Sequence, residues 1–257
     1  MVGSAGAAAI RDSLFAGNDG GAVYLISGAL PVFINTTIAG NSGDAVVANG
    51  SVTAHVFRNM LIWGNSGRSF GGTPPEEVTY SAAEDYADAM INSGHTVEDF
   101  FVTPLVGPTA ANTGANYNPA LYDWTLRPFS PAIDQGESAY AATLDLNNAP
   151  RVVDDASVPN GPGGVVDLGA YERQTGSCTS FSFPYTVASS AGESRPLDLR
   201  DAIRCANANG PGLDVITIAP GPHLSYDNPF ASYDGTPTAL PQITSQIRIV
   251  GAGATWI

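Results

Sequence analysis

Six carboxylates crowd one stretch of the second half of the chain: Asp134, Asp145, Asp154, Asp155, Asp167 and Glu172. Acids so placed can do two kinds of chemistry. As a pair held roughly 5–9.5 Å apart they can cleave glycosides, one giving a proton and the other attacking or activating water. Gathered with backbone carbonyls on Gly-rich loops they can hold calcium, which takes oxygen ligands. Asp134, Asp145, Asp167 and Glu172 are the calcium candidates. No Asp-x-Asp-x-Asp-Gly loop and no nonapeptide repeat accompanies them, and short acids beside glycines also accept backbone N–H groups at turns. Turn bonding is therefore the expected role, no catalytic residue is assigned, and calcium is the one cofactor that the composition permits.

Other chemistries find less support. The sequence holds ten Arg and no Lys, which excludes the amine base that some polysaccharide lyases use. Arg58 and Arg68 read as ordinary solvated cations, and His55, His95 and His223 as scattered surface or turn residues. No Gly-x-Ser-x-Gly elbow marks a serine nucleophile. Gly251-x-Gly253 follows a strand-like run, but Trp256 stands where a dinucleotide fingerprint needs its third glycine, so a turn is expected there. Trp63 is expected in a core or at a coil edge ahead of stacking on a sugar.

The elements that must position these groups begin with a repeat. IRDSLFAGN, FINTTIAGN and FRNMLIWGN close on Asn18, Asn41 and Asn65, at steps of 23 and 24 residues. Such a period marks a solenoid. Ile10, Phe33 and Phe57 occupy the apolar slot eight before the closing Asn; Phe15, Ile38 and Ile62 occupy the slot three before it. An odd spacing between two buried slots cannot lie on one straight strand, because alternate residues face opposite sides. A bend at Asp12, Asn35 and Asn59, between the slots, resolves the conflict. Ala22–Ile26 and Ala45–Asn49 add a third strand to each coil. The expected fold is all-β: a right-handed parallel β-helix in which Asn18, Asn41 and Asn65 stack as a structural ladder of side-chain amides.

Composition agrees with this architecture. Of 257 residues 44% are hydrophobic, and 29 Gly and 19 Pro favour turns and β structure. The net charge of −14 supplies no basic stripe for phosphates, so no nucleic-acid partner is expected. No apolar run has the length of a membrane span, and the start lacks the basic residues and apolar core of a secretion signal. Cys178 and Cys205 allow a bridge or two free thiols. Residues 71–98 lose the repeat, with Val78 and Tyr80 giving one more strand and a short helical turn expected around Ala82 to Met90. Farther on, DLRDAIRCANANG predicts an amphipathic helix with Asp198 as N-cap, a buried face of Leu199, Ala202, Ile203 and Ala206, and an end at Asn209-Gly210.

Four phrases then follow in order: DFFVTP, DWTLRPFSPAIDQG, LDLNNAPRV and VVDLGAYER. Together they resemble the closing segment of bacterial surface β-helix proteins, of the type called a choice-of-anchor domain. Asn148 or Ala149 stands where that family has a turn glycine. FPYTVASSAG, LRDAIRCANANGPGLDVITIAPG and ALPQITSQIRIVGAG resemble the opening of the same kind of protein, where the helix caps the first coil. The resemblance implies coils over residues 1–70, a closing segment over 71–175, and over 176–257 the cap and first strands of a second unit. An ending thus precedes a beginning, as at the junction of tandem units or after circular permutation, and the start resembles a cut into something longer. The implied role is a non-enzymatic structural or adhesive module, extracellular or at the cell surface, with surface glycans or other surface proteins as partners. Two alternatives stay open: a fragment of a carbohydrate-active β-helix enzyme, and a calcium-stabilised carbohydrate-binding domain.

Overall fold

The computed structural model describes residues 9–50, 55–187, 199–221, 231–233, 236–238 and 240–251. The chain divides into two compact units, Met1–Gln174 and Thr175–Ile257. In the first, each pass of the chain lays down short strands one above another. The first pass supplies β1 (Ala9–Arg11), β2 (Leu14–Ala16) and β3 (Val23–Leu25); the second, β4 (Val32–Ile34), β5 (Thr37–Ala39) and β6 (Val46–Ala48). The third supplies β7 (Val56–Arg58), β8 (Leu61–Trp63) and β9 (Phe70–Gly72), and a fourth β10 (Glu77–Thr79) and β11 (Ala82–Ala83). They join as three sheets, β1-β4-β7-β10, β2-β5-β8-β11 and β3-β6-β9. Every pairing in them is parallel.

The expected apolar columns are in register. Ile10, Phe33, Phe57 and Val78 stand side by side, as do Phe15, Ile38, Ile62 and Ala83. The rings of Phe33 and Phe57 stack at 5.0 Å, and Phe33, Ile38, Phe57 and Ile62 are wholly buried. Between the two columns Asp12, Asn35 and Asn59 take left-handed backbone angles, φ +46°, +49° and +53°. Asn and Asp tolerate that region better than other side chains because they are short and bond locally. One such residue turns the strand sharply, so slots an odd distance apart both point inward.

The repeat does not lapse after residue 70. The fourth pass is a compressed copy, 21 residues beyond the third, with Tyr80 at the corner (φ +45°) and Asp85 (φ +66°) in the place that Gly17, Gly40 and Gly64 hold before it. The helical turn expected around Ala82 to Met90 does not form. Ala82 and Ala83 are β11, and the chain then makes two tight turns, in which Tyr86 N–H donates to Ala83 C=O and Ala89 N–H to Tyr86 C=O.

Two cores result. One fills the interior of the passes, from Leu25 and Phe33 to Met60 and Ile62. The other lies on the outer face of β5 and β8, where Ala39, Leu61 and Trp63 meet Phe100, Phe101, Leu105, Trp124, Leu126, Ile133 and Leu168 of the closing segment. Strand β8 is therefore buried on both faces, and Trp63, 1% exposed, packs on Phe100 at 4.6 Å between ring centroids. The closing segment itself contains helix α1 (Val97–Phe100) and an antiparallel pair, β12 (Phe101–Thr103) with β13 (Asp123–Leu126).

The second unit has β14 (Tyr185–Val187), helix α2 (Leu199–Ala208), β15 (Leu213–Ile218), a small antiparallel pair β16 (Ala231–Tyr233) with β17 (Thr236–Thr238), and β18 (Gln246–Gly251). Strands β14, β15 and β18 form a parallel sheet. Ala202, Ile203 and Ala206 of α2 are buried in one cluster with Val187 and Ile216, and Leu199 packs beside them. The helix ends as the sequence predicts, with Gly210 in a left-handed conformation, φ +92°. Cys178 and Cys205 are bonded, which resolves the open choice between bridge and free thiols. The N-cap expected at Asp198 lies outside the described residues.

Asn59 tests the corner argument. Its Nδ2 donates to Asn35 Oδ1 (2.9 Å) and to Glu137 C=O (3.0 Å), and its Oδ1 accepts Glu137 N–H (2.8 Å). Asn59→Ala removes all three bonds and keeps a non-glycine residue in left-handed backbone, so a loss on the order of 3–5 kcal/mol is expected in urea unfolding. Asn59→Gly relieves the backbone cost of about 1–2 kcal/mol and should sit that much above Ala. Equal stability of the two variants would refute the corner argument.

Candidate functional site

The left-handed corners of the passes carry a first polar rail, made of Asp12, Asn35 and Asn59. Asn35 Nδ2 donates to Asp12 Oδ1 at 3.2 Å and Asn59 Nδ2 to Asn35 Oδ1 at 2.9 Å. The closing segment docks on this rail. Glu137 meets Asn59, the carbonyl of Tyr140 accepts from Asn35 Nδ2 (3.1 Å), and Arg151 Nη2 donates to Asp12 Oδ1 (2.8 Å). Arg151 is wholly buried; its guanidinium also reaches the carbonyls of Gly169 and Ala170, each at 2.9 Å.

At the Gly-Asn turns a second column runs parallel to the first. Asn18 Nδ2 donates to Asn41 Oδ1 (2.7 Å) and Asn41 Nδ2 to Asn65 Oδ1 (2.8 Å). Each acceptor oxygen also takes a backbone N–H from the pass before, that of Asn18 and of Asn41. The amides of Asn18, Asn41 and Asn65 are thus spent on one another and on the turn backbone.

The four acids singled out as calcium candidates come together, and they are linked head to tail. Asp145 Oδ2 accepts Glu172 N–H (2.9 Å); Glu172 Oε2 accepts Asp167 N–H (3.0 Å); Asp167 Oδ1 accepts Asp134 N–H (2.8 Å); Asp134 Oδ2 accepts Asp155 N–H (3.1 Å). Second oxygens on three of them hold further backbone: Asn147 and Ala149 on Asp145, Val153 on Glu172, Arg173 on Asp167. Each acid ties the next acid's peptide group, and the loops between strands are sewn into one piece. Asn148 adopts φ +61°, left-handed backbone that asparagine tolerates better than most side chains. Gly136 is needed for space: a Cβ there would lie 2.8 Å from the carbonyl of Val166.

Burial sets the protonation of this chain of acids. Loss of solvent pushes Asp134 up to about 6, against the hydrogen bond from Asp155 that favours the ionised form. Asp167 and Glu172 are pushed up in the same sense, burial again being the first cause. Asp134 Oδ1 is buried with no hydrogen-bond partner. Among the described residues no three His, Cys, Asp or Glu side chains converge as a cation site requires.

The remaining candidates fall as follows. Arg58 forms a two-bond pair with Glu77, both distances 2.9 Å, under the ring of Tyr140, and Arg68 pairs with Asp44 at 3.0 Å. His55, expected at the surface or in a turn, is 1% exposed and sits edge-on to Phe57; burial holds its imidazole below the usual value, because a buried ring is favoured neutral. His223 and Gly253 lie outside the described residues.

Sequence reasoning did not single out Arg151 or a cleft of about 540 Å³ beside β2. Tyr117, Tyr122, Trp124, Tyr171, Asp123 and Asn147 line it. The available signal was the density of aromatics in NYNPALYDW.

Asp134 gives a pH prediction. A carboxyl with a raised folded pKa takes up its proton more readily folded than unfolded, so its stabilisation is complete below about pH 4 and is lost as pH rises through about 6. The unit Met1–Gln174 is therefore expected to unfold at lower urea at pH 7 than at pH 5, Asp134 contributing on the order of 1–1.5 kcal/mol of the difference. Asp134→Asn keeps an acceptor for Asp155 N–H and should flatten that slope. An unchanged slope would show that another group sets it. Because these carboxylates are already spent on peptide N–H groups, added calcium is expected to move the melting temperature by less than about 1 °C, and a large rise in calorimetry would overturn that assignment. No protein-family model, no curated protein and no solved structure matches the chain.

Proposed function

We propose that this chain is a non-enzymatic structural or adhesive module of a large secreted or cell-surface protein, built as a parallel β-helix with a closing segment laid along one side. The observation that carries the reading is the use made of the polar groups: the asparagine columns and the buried acids are committed to backbone and to one another. A hydrolase or lyase of this architecture needs carboxylates facing solvent with room for substrate and water between them. The candidate acids Asp134, Asp145, Asp167 and Glu172 are all buried, which supports scaffold over catalysis.

Two further features fit. The bond between Cys178 and Cys205 suits an oxidising compartment, and no described helix is long and apolar enough to cross a membrane. The parallel sheet and helix of the second unit fit the reading as the opening of another β-helix, so that the chain spans the junction of tandem units.

The test is incubation with pectate, alginate, xylan and chitin, following reducing ends and the ultraviolet absorbance of lyase products. No release above a buffer blank is expected. Release abolished by substituting one of the six acids would replace this reading with the enzyme fragment.

A further inference from the structure

Tyr117, Tyr122, Trp124 and Tyr171 wall the cleft beside β2. It measures about 540 Å³, inside the range of roughly 300–1,000 Å³ typical of small-molecule sites. Its aromatic wall is cross-braced. Tyr117 and Tyr122 stack with centroids 5.2 Å apart and planes 11° from parallel. Trp124 Nε1 donates to Tyr117 Oη at 2.9 Å, and Tyr122 leans on Trp124 at 6.4 Å. Tyr117 is seated over Gly17, where a Cβ would overlap its ring. Trp124 is nearly buried, while Tyr117, Tyr122 and Tyr171 keep part of their surface open.

The polar groups at the rim are aimed and available. Asp123 Oδ1 accepts Thr125 N–H (2.9 Å) and Oγ1–H (2.6 Å), which fixes the carboxylate and leaves Oδ2 for a ligand. Asn147 is exposed, its backbone N–H donates to Asp145 Oδ1 at 2.8 Å, and its side-chain amide offers an acceptor and two donors. The phenol groups of Tyr122 and Tyr171 add a hydroxyl each.

We infer that this cleft binds a neutral saccharide. A sugar ring shows an apolar C–H face and a belt of hydroxyls, each both donor and acceptor, and it therefore matches aromatic faces bordered by a carboxylate and an amide together. A purely apolar ligand would make no use of Asp123 or Asn147 at the rim. An acidic sugar would meet Asp123 and a chain of net charge −14, with no Arg or Lys lining the cleft to pair with it. A small organic cation would use Asp123 and the rings but would have no use for the amide.

The inference rests on the adhesive side of the reading above, and the two fail separately. Sugar bound and then cleaved overturns the non-enzymatic reading and leaves the cleft; no binding overturns the cleft and leaves the scaffold.

The experiment is titration calorimetry of the full chain with cellotetraose, maltotetraose, mannotetraose and chitotetraose, and with tetramethylammonium in parallel. At least one tetrasaccharide should bind with a Kd of millimolar or below. Asn147→Ala, at an exposed position, should leave the melting temperature in place and weaken that binding by about tenfold, the loss of one or two hydrogen bonds. Tyr122→Ala should abolish it, with circular dichroism checking that the fold persists. The inference is wrong if none of the four binds at millimolar concentration, if Asn147→Ala binds like the parent, or if tetramethylammonium binds as tightly and competes.

Discussion

One backbone conformation makes the rest of the first unit possible. At Asp12, Asn35 and Asn59 the chain turns through left-handed space, and an L-residue held there sacrifices about 1–2 kcal/mol. The return is geometric. A corner one residue wide lets two short strands bury both of their inward slots, and stacking the corners puts each amide within reach of the next. The same side chains then receive Glu137, Tyr140 and Arg151 of the closing segment. Asn59 and Asn35, wholly buried, serve turn, stack and cover at once, so none of their polar atoms is stranded in the apolar interior.

The buried acids solve a related problem by another route. An irregular segment has no ladder partners for its peptide groups, and every orphaned N–H inside the protein is costly. Asp145, Glu172, Asp167 and Asp134 supply the missing acceptors in sequence. Taking those carboxylates out of water pushes Asp134, Asp167 and Glu172 toward the neutral form, and Arg151, 3.9 Å from Glu172, offsets part of that pressure. The closing segment is thus sewn together by charge that the interior tolerates poorly, which is why its acids look like a ligand set on paper.

Legibility in the sequence followed periodicity. The columns through Phe33 and Ile38, the asparagine steps and the helix of the second unit could all be read, because each recurs at a spacing that only one local geometry satisfies. The fourth pass was harder to see, since it is two or three residues shorter and substitutes Tyr80 and Asp85 for Asn and Gly at its turns. His55 was misplaced because a lone histidine carries no pattern. The outer core was invisible for a deeper reason. Thr37 to Ala39 and Leu61 to Trp63 are buried on both sides, yet what covers them comes from residues 97–168, a pairing across the chain that no local spacing encodes. Arg151 and the aromatic cleft belong to the same class.

The turn glycines lead somewhere else again. Gly17, Gly40 and Gly64 look interchangeable, but a Cβ on each would strike a different neighbour: Tyr117, Trp124 and Val97 in turn. The cover therefore addresses these three passes individually. Insertion of an extra pass among these three would bring at least one of those side chains over the wrong turn. The spacing of these passes is matched side chain by side chain in their cover.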